Sequence, residues 1–118
     1  MKTRVIETQG HKILEVLEPV ARVDDSVEIV SACFESRARN VLIEHAFLPE
    51  AFFALRTRFL GEFLQKLVNY RMRLAIVLPA ERELSARFQE FLREAKRGSS
   101  FSAFTDRADA EAWLSGGP

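Results

Sequence analysis

The chain has 118 residues, a usual length for one domain, and can bury most of the surface its unfolded form exposes without help from a disulfide or a metal. Apolar residues make up 47% and charged residues 29%, which excludes a disordered chain, and seventeen basic against seventeen acidic side chains exclude the strong positive field of a dedicated nucleic-acid or anionic-membrane binder. The lone Cys33 rules out an internal disulfide, no apolar run approaches the ~20 residues of a membrane span, and no signal-like apolar stretch follows Met1-Lys2-Thr3-Arg4, so a reducing cytoplasm is the expected location.

Arg4 to Ile6 and Lys12 to Leu17 are rich in Val, Ile and Leu, with Gln9-Gly10 between them. Glycine supplies the positive φ of a tight turn, so residues 3–9 and 11–18 are expected to form an antiparallel pair, ended by Pro19. Asp24-Asp25-Ser26 offers oxygens for a helix start, and Val27, Val30, Cys33, Phe34 and Ala38 recur at helical spacing, predicting a helix over 26–38 closed by Asn40. Val41-Leu42-Ile43 suits a central strand covered on both faces.

Pro49 to Arg71 is expected to be one long helix. Phe52, Leu55, Phe59, Phe63, Leu67 and Tyr70 share one side, extended by Phe53, Leu60, Leu64 and Val68, for an apolar arc of about 220° against the ~100° stripe of a simple surface helix. Gly61 in its middle, at a penalty of about 1 kcal/mol relative to Ala, suggests a close helix contact or a bend. Leu74 to Leu78 is the clearest strand, ended by Pro79. Glu81 to Arg97 is expected as a helix with Gly98 at its C′ position, Phe101 to Phe104 as a last strand, and a helix from Asp106 with Ala108, Ala112, Trp113 and Leu114 available for packing. The order β-β-α-β-α-β-α-β-α implies one α/β domain over residues 1–115, with a mostly parallel sheet of about five strands, an N-terminal antiparallel hairpin and about four helices. Residues 116–118 are expected to be a frayed tail.

The run Phe52-Phe53-x-Leu55-x-Thr57, followed by Leu60-Gly61-Glu62-Phe63-Leu64-Gln65-Lys66-Leu67-Val68-Asn69-Tyr70-Arg71 and Leu74-Ala75-Ile76-Val77, resembles a bacterial family catalogued as domain of unknown function 4180. Phe88-x-x-Phe91-Leu92-x-Glu94, Gly98 and Ala112-Trp113-Leu114 extend the resemblance over most of residues 4–114. The sequence departs from that family at Leu78-Pro79, where a glycine usually follows the strand, and at Ala95-Lys96-Arg97, where Ser-Asn usually precedes the glycine. The resemblance implies no activity. The layout is also similar to STAS domains, the class named after sulphate transporters and anti-sigma-factor antagonists. That similarity implies a small non-enzymatic module acting by protein contact, often under phosphorylation in the region matching Glu44 to Thr57. The Asp-Ser-Ser-Gly type of motif is absent, so the phosphoswitch does not carry over.

No Gly-rich phosphate loop, His-Glu-x-x-His, paired cysteines or Gly-x-Ser-x-Gly occurs, and no metal or other cofactor is expected. Glu44 and His45 end the central strand, where ligands of parallel sheets favour the carboxyl ends, and Arg56 and Thr57 could approach them. The structural alternative is an exposed strand end, with the Thr57 hydroxyl bonded locally to backbone. Glu62, Gln65, Lys66 and Asn69 share one helix face, which is either a recognition surface or a solvated face with a Glu62–Lys66 pair. Cys33 fits a small buried hydrophobe better than a nucleophile. Ten phenylalanines exceed what one sheet face covers, leaving internal wedging, a homodimer face or an apolar pocket as outlets. The preferred expectation is a cytoplasmic regulatory or protein-binding module, its partner another protein or itself as a homodimer. The alternatives are a carrier or sensor of a small apolar ligand, and an enzyme using Glu44, His45 and Arg56.

Overall fold

The computed structural model describes residues 1–116, so Gly117 and Pro118 of the expected tail lie outside the described residues, while Gly116 ends a helix. Strand β1 (Thr3–Thr8) pairs antiparallel with β2 (His11–Val16). Gln9 and Gly10 both have positive φ, 51° and 80°, the backbone of a two-residue turn whose twist matches its strands. Then come α1 (Asp25–Ser36), β3 (Asn40–Glu44), a 3-10 turn (His45–Phe47), α2 (Glu50–Phe53), a second 3-10 turn (Leu55–Thr57), α3 (Phe59–Val68), β4 (Arg73–Val77), α4 (Ala86–Ala95), β5 (Phe101–Phe104) and α5 (Arg107–Gly116). The sheet order is β1-β2-β3-β4-β5, parallel from β2 onward, with β3 central as its apolar run predicts.

Alternation along the strands sorts the core into two layers. Leu14, Val16, Val41, Ile43, Leu74, Ile76 and Phe101 face α1 to α4. Ile13, Leu42, Ala75 and Val77 face α5 with Ala110 and Leu114. Phe52 is the hub of the larger layer, its ring within 5.2–6.5 Å of those of Phe53, Phe59, Phe63, Phe88 and Phe101. Such pairs add about 0.5–1.5 kcal/mol each beyond area burial.

The long helix predicted over 49–71 is instead three pieces. Ala54 is extended and Arg58 is left-handed at φ 65°, so the chain turns twice between α2 and α3. The Thr57 hydroxyl holds this break: it donates to Ala51 O at 2.6 Å and Ala54 O at 2.8 Å and accepts from Phe59 N at 3.2 Å. The break lets Phe52 and Phe63 enter the core from different directions, so most of the apolar excess is absorbed internally and the space between α3 and the sheet is filled by rings.

Several helix ends and faces also differ from expectation. Helix α4 starts at Ala86, because the Ser85 hydroxyl accepts from Phe88 N at 3.1 Å. Gly98 is not left-handed; that conformation falls to Arg37, which closes α1 at φ 59° in place of Asn40, and to Arg71 at φ 61° after α3. A Cβ added to Gly61 would meet nothing within 4 Å, so Gly61 marks no close contact. Helix α1 is rotated from its predicted face: Ser26, Ile29, Val30 and Cys33 point inward, while Val27 and Phe34 are exposed. Tyr70, predicted on the inner arc, is also exposed.

Candidate functional site

Glu15 is the next-to-last residue of β2, flanked by Leu14 and Val16 and only 2% exposed. A carboxylate there needs a cation, and two supply it. Arg107, at the start of α5, binds both carboxylate oxygens at 2.7 and 2.8 Å, and Arg4, its cross-strand neighbour on β1, donates at 2.7 and 3.0 Å. Arg107 also reaches Glu44 at 3.2 Å and Glu111 at 2.8 Å. The Arg107 hydrogen bonds hold the Glu15 carboxyl below its ordinary value, against the opposing effect of burial, and Arg4 adds to the same direction. The same bond to Glu15 raises the Arg107 guanidinium. Each charged group in this cluster already has a partner, so its chemistry is to fasten α5 across the sheet.

Glu44 is thereby committed to the α5 face. His45 is exposed on the first 3-10 turn. Arg56 is exposed on the second and lines a groove with Glu50, Phe53, Arg82 and Ser85 on the other face of the sheet. These positions do not bring Glu44, His45 and Arg56 together into one cleft. Thr57 spends its hydroxyl on backbone, as the local alternative expected. Burial pushes the Cys33 thiol up to about 12, which leaves it inert as a nucleophile.

Glu62, Gln65, Lys66 and Asn69 are exposed along α3. Gln65 donates to Asn69 at 2.7 Å, whereas no Glu62–Lys66 ion pair forms among the described residues. Beside this stripe runs a groove of about 360 Å³ lined by Val27, Val30, Phe34, Lys66, Asn69 and Tyr70. Phe34 is 62% exposed and meets Tyr70, 54% exposed, edge-on at 5.8 Å. A second depression continues it past Arg37, Arg39 and Arg71.

A family model described as domain of unknown function (DUF4180) matches residues 7–114. The chain belongs to the DUF4180 family. No curated protein and no solved structure matches it. The match spans every strand of the DUF4180 domain at least in part, together with Glu15, Glu44, Arg107 and Glu111 of the ion cluster and the α1–α3 groove, and leaves Arg4 outside. No helix among its described residues is long and apolar enough to cross a membrane.

Two features of this site escape the sequence reading. Arg107 is one of seventeen basic residues with nothing local to mark it, but Glu15 carries a signal: a single acid inside a strand buried on both faces requires a distant cation. The aromatic groove is missed because Val27 and Phe34 are spaced like core residues, and only the competing set Ser26, Ile29, Val30 and Cys33 reveals the true inner face.

Proposed function

We propose that this domain is a non-enzymatic protein-contact module, and that the α1–α3 groove is its contact face. The observation that carries this reading is the clustering of exposed apolar groups. Val27, Phe34 and Tyr70 are large, exposed and on one groove, whereas exposed hydrophobics of no consequence are scattered singly. Tyrosine and phenylalanine anchors flanked by polar groups are the usual composition of protein interfaces.

The occupant that fits best is a second copy of the chain. Acidic Asp25 and Glu28 lie in the first turn of α1, Glu28 paired with the N-terminal ammonium at 3.2 Å, and Glu62 lies in the first turn of α3 after Arg58. Basic groups outnumber acids toward the other end, with Lys66, Arg37, Arg39 and Arg71 against Glu35. A two-fold axis through the groove sets the acidic end of one copy against the basic end of the other and buries both aromatic pairs, as an isologous interface requires. A regulatory role exercised through such contacts is what the resemblance of the sequence layout to STAS domains implies. Sedimentation velocity over a dilution series tests the reading. The expected result is a reversible dimer for the natural chain and a monomer of unchanged melting temperature for Phe34→Glu. A natural chain that stays monomeric at the highest concentrations, or a Phe34→Glu variant that still dimerises, overturns it.

A further inference from the structure

A more voluminous depression lies elsewhere. It is a groove of about 690 Å³ between α2 with its following 3-10 turn and the β4–α4 connection, within the size range of small-molecule sites. Strand β4 runs through Leu78 and Pro79 directly into the segment that walls it, so the groove sits at the carboxyl end of a parallel strand, where open α/β sheets bind ligands.

Arg82 is the group around which the groove is built. Its guanidinium lies over the Phe53 ring at 3.9 Å, which fixes the plane of its donors. Its Nη atoms reach the Glu50 carboxylate only at 3.3 and 3.4 Å, and the Glu50 side chain is 85% exposed. Its Nε is buried with no hydrogen-bond partner. A guanidinium can donate five hydrogen bonds, and this one makes two long ones to a carboxylate that water strongly solvates. Arg56 and Arg87 also line the groove, against the carboxylates Glu50 and Glu83, so its three arginines outnumber its two acids, and neither Arg56 nor Arg87 forms an ion pair among the described residues. Phe53, Leu55 and Leu84 supply apolar wall beside the charge.

We infer that this groove binds a small organic anion, a carboxylate on a short apolar body, with Arg82 as its anchor. A ligand carboxylate forms short, bidentate, charge-assisted bonds to the presented fork and displaces Glu50, which turns back to water. Its apolar body covers Leu55 and Leu84, which a bare inorganic anion cannot do. The site is separate from the α1–α3 face, and either stands if the other fails.

Amide chemical-shift titration of the full chain tests the inference, with octanoate, octanol and inorganic phosphate as probes. Octanoate is expected to shift residues 50–56 and 82–87, and both octanol and phosphate to bind about tenfold more weakly or worse, the loss that follows from removing a charged hydrogen bond or the apolar contact. Arg82→Gln is expected to weaken octanoate by about tenfold or more on the same ground. The exposed pair Arg56→Gln with Arg87→Gln, which leaves the core untouched, is expected to weaken it severalfold and decides the matter if Arg82→Gln fails to fold. No octanoate binding, shifts confined to the α1–α3 groove, equal binding of octanol or phosphate, or undiminished affinity in the double variant each overturn it.

Discussion

On the face covered by α1 to α4, closure rests on aromatic rings that need only exclude water, with Phe52 touching five others. On the α5 face the apolar layer is small, Ile13, Leu42, Ala75, Val77, Ala110 and Leu114, and an ion cluster centred on Glu15 stands beside it. Arg73 anchors the far end of the same helix, stacked 4.0 Å from the Trp113 ring and donating to the Trp113 and Leu114 carbonyls. The first face is stabilised by non-directional burial and tolerates changes of conditions. The second depends on charge states and geometry, so pH and single-atom losses act on it selectively.

Substitutions separate the two faces by size of effect. Phe52→Ala should cost about 3–5 kcal/mol by urea denaturation, since it removes the hub ring and leaves a cavity. A loss under about 1 kcal/mol would mean that the neighbouring rings collapse freely into the space. Arg107→Ala should cost about 2–4 kcal/mol, because Glu15 is left buried with Arg4 alone. Acid sharpens that test. The Glu15 carboxyl is held below its ordinary value of 4.5, so its contribution is present above that pH and is lost as the pH falls through the lowered folded value. The natural chain should therefore lose stability below about pH 4.5, and Arg107→Ala should show a shallower loss over the same range. An identical acid profile in both proteins would remove the ion cluster from the account. On the outer side of the first face, Gly61→Ala should raise stability by about 0.5–1 kcal/mol, as its added methyl meets open space within a helix. His45→Ala, outside both layers, should change the melting curve by less than about 0.5 kcal/mol; a larger loss would reveal a bond to the imidazole.

The hairpin and the sequence of elements were legible because local chemistry marks them: apolar runs of strand length, Gly10 at the turn, and prolines at 19 and 79 beyond strands β2 and β4. The break in the second predicted helix, over 49–71, was not legible. Phenylalanine and leucine continue at helical spacing straight through Ala54 and Arg58, and only the Thr57 hydroxyl, competing with the helix for backbone, interrupts them. Of the residues picked out for function, Lys66 and Asn69 lie on the proposed contact groove and Arg56 lines the anion groove, whereas Glu44 is drawn under α5 by an arginine 63 positions away. Periodicity reports a residue's neighbours along the chain and carries no record of partners at such separations.

The sequential strand order bears on how the chain is made. Each strand leaving the ribosome finds its neighbour already laid down, so the sheet can grow by addition at one edge without waiting for a distant segment. The clasp of Arg107 on Glu15 is the exception, joining residues 92 apart. Until the last helix emerges, one side of the growing sheet lies bare, and in that interval the nascent chain is most prone to adhere to its neighbours.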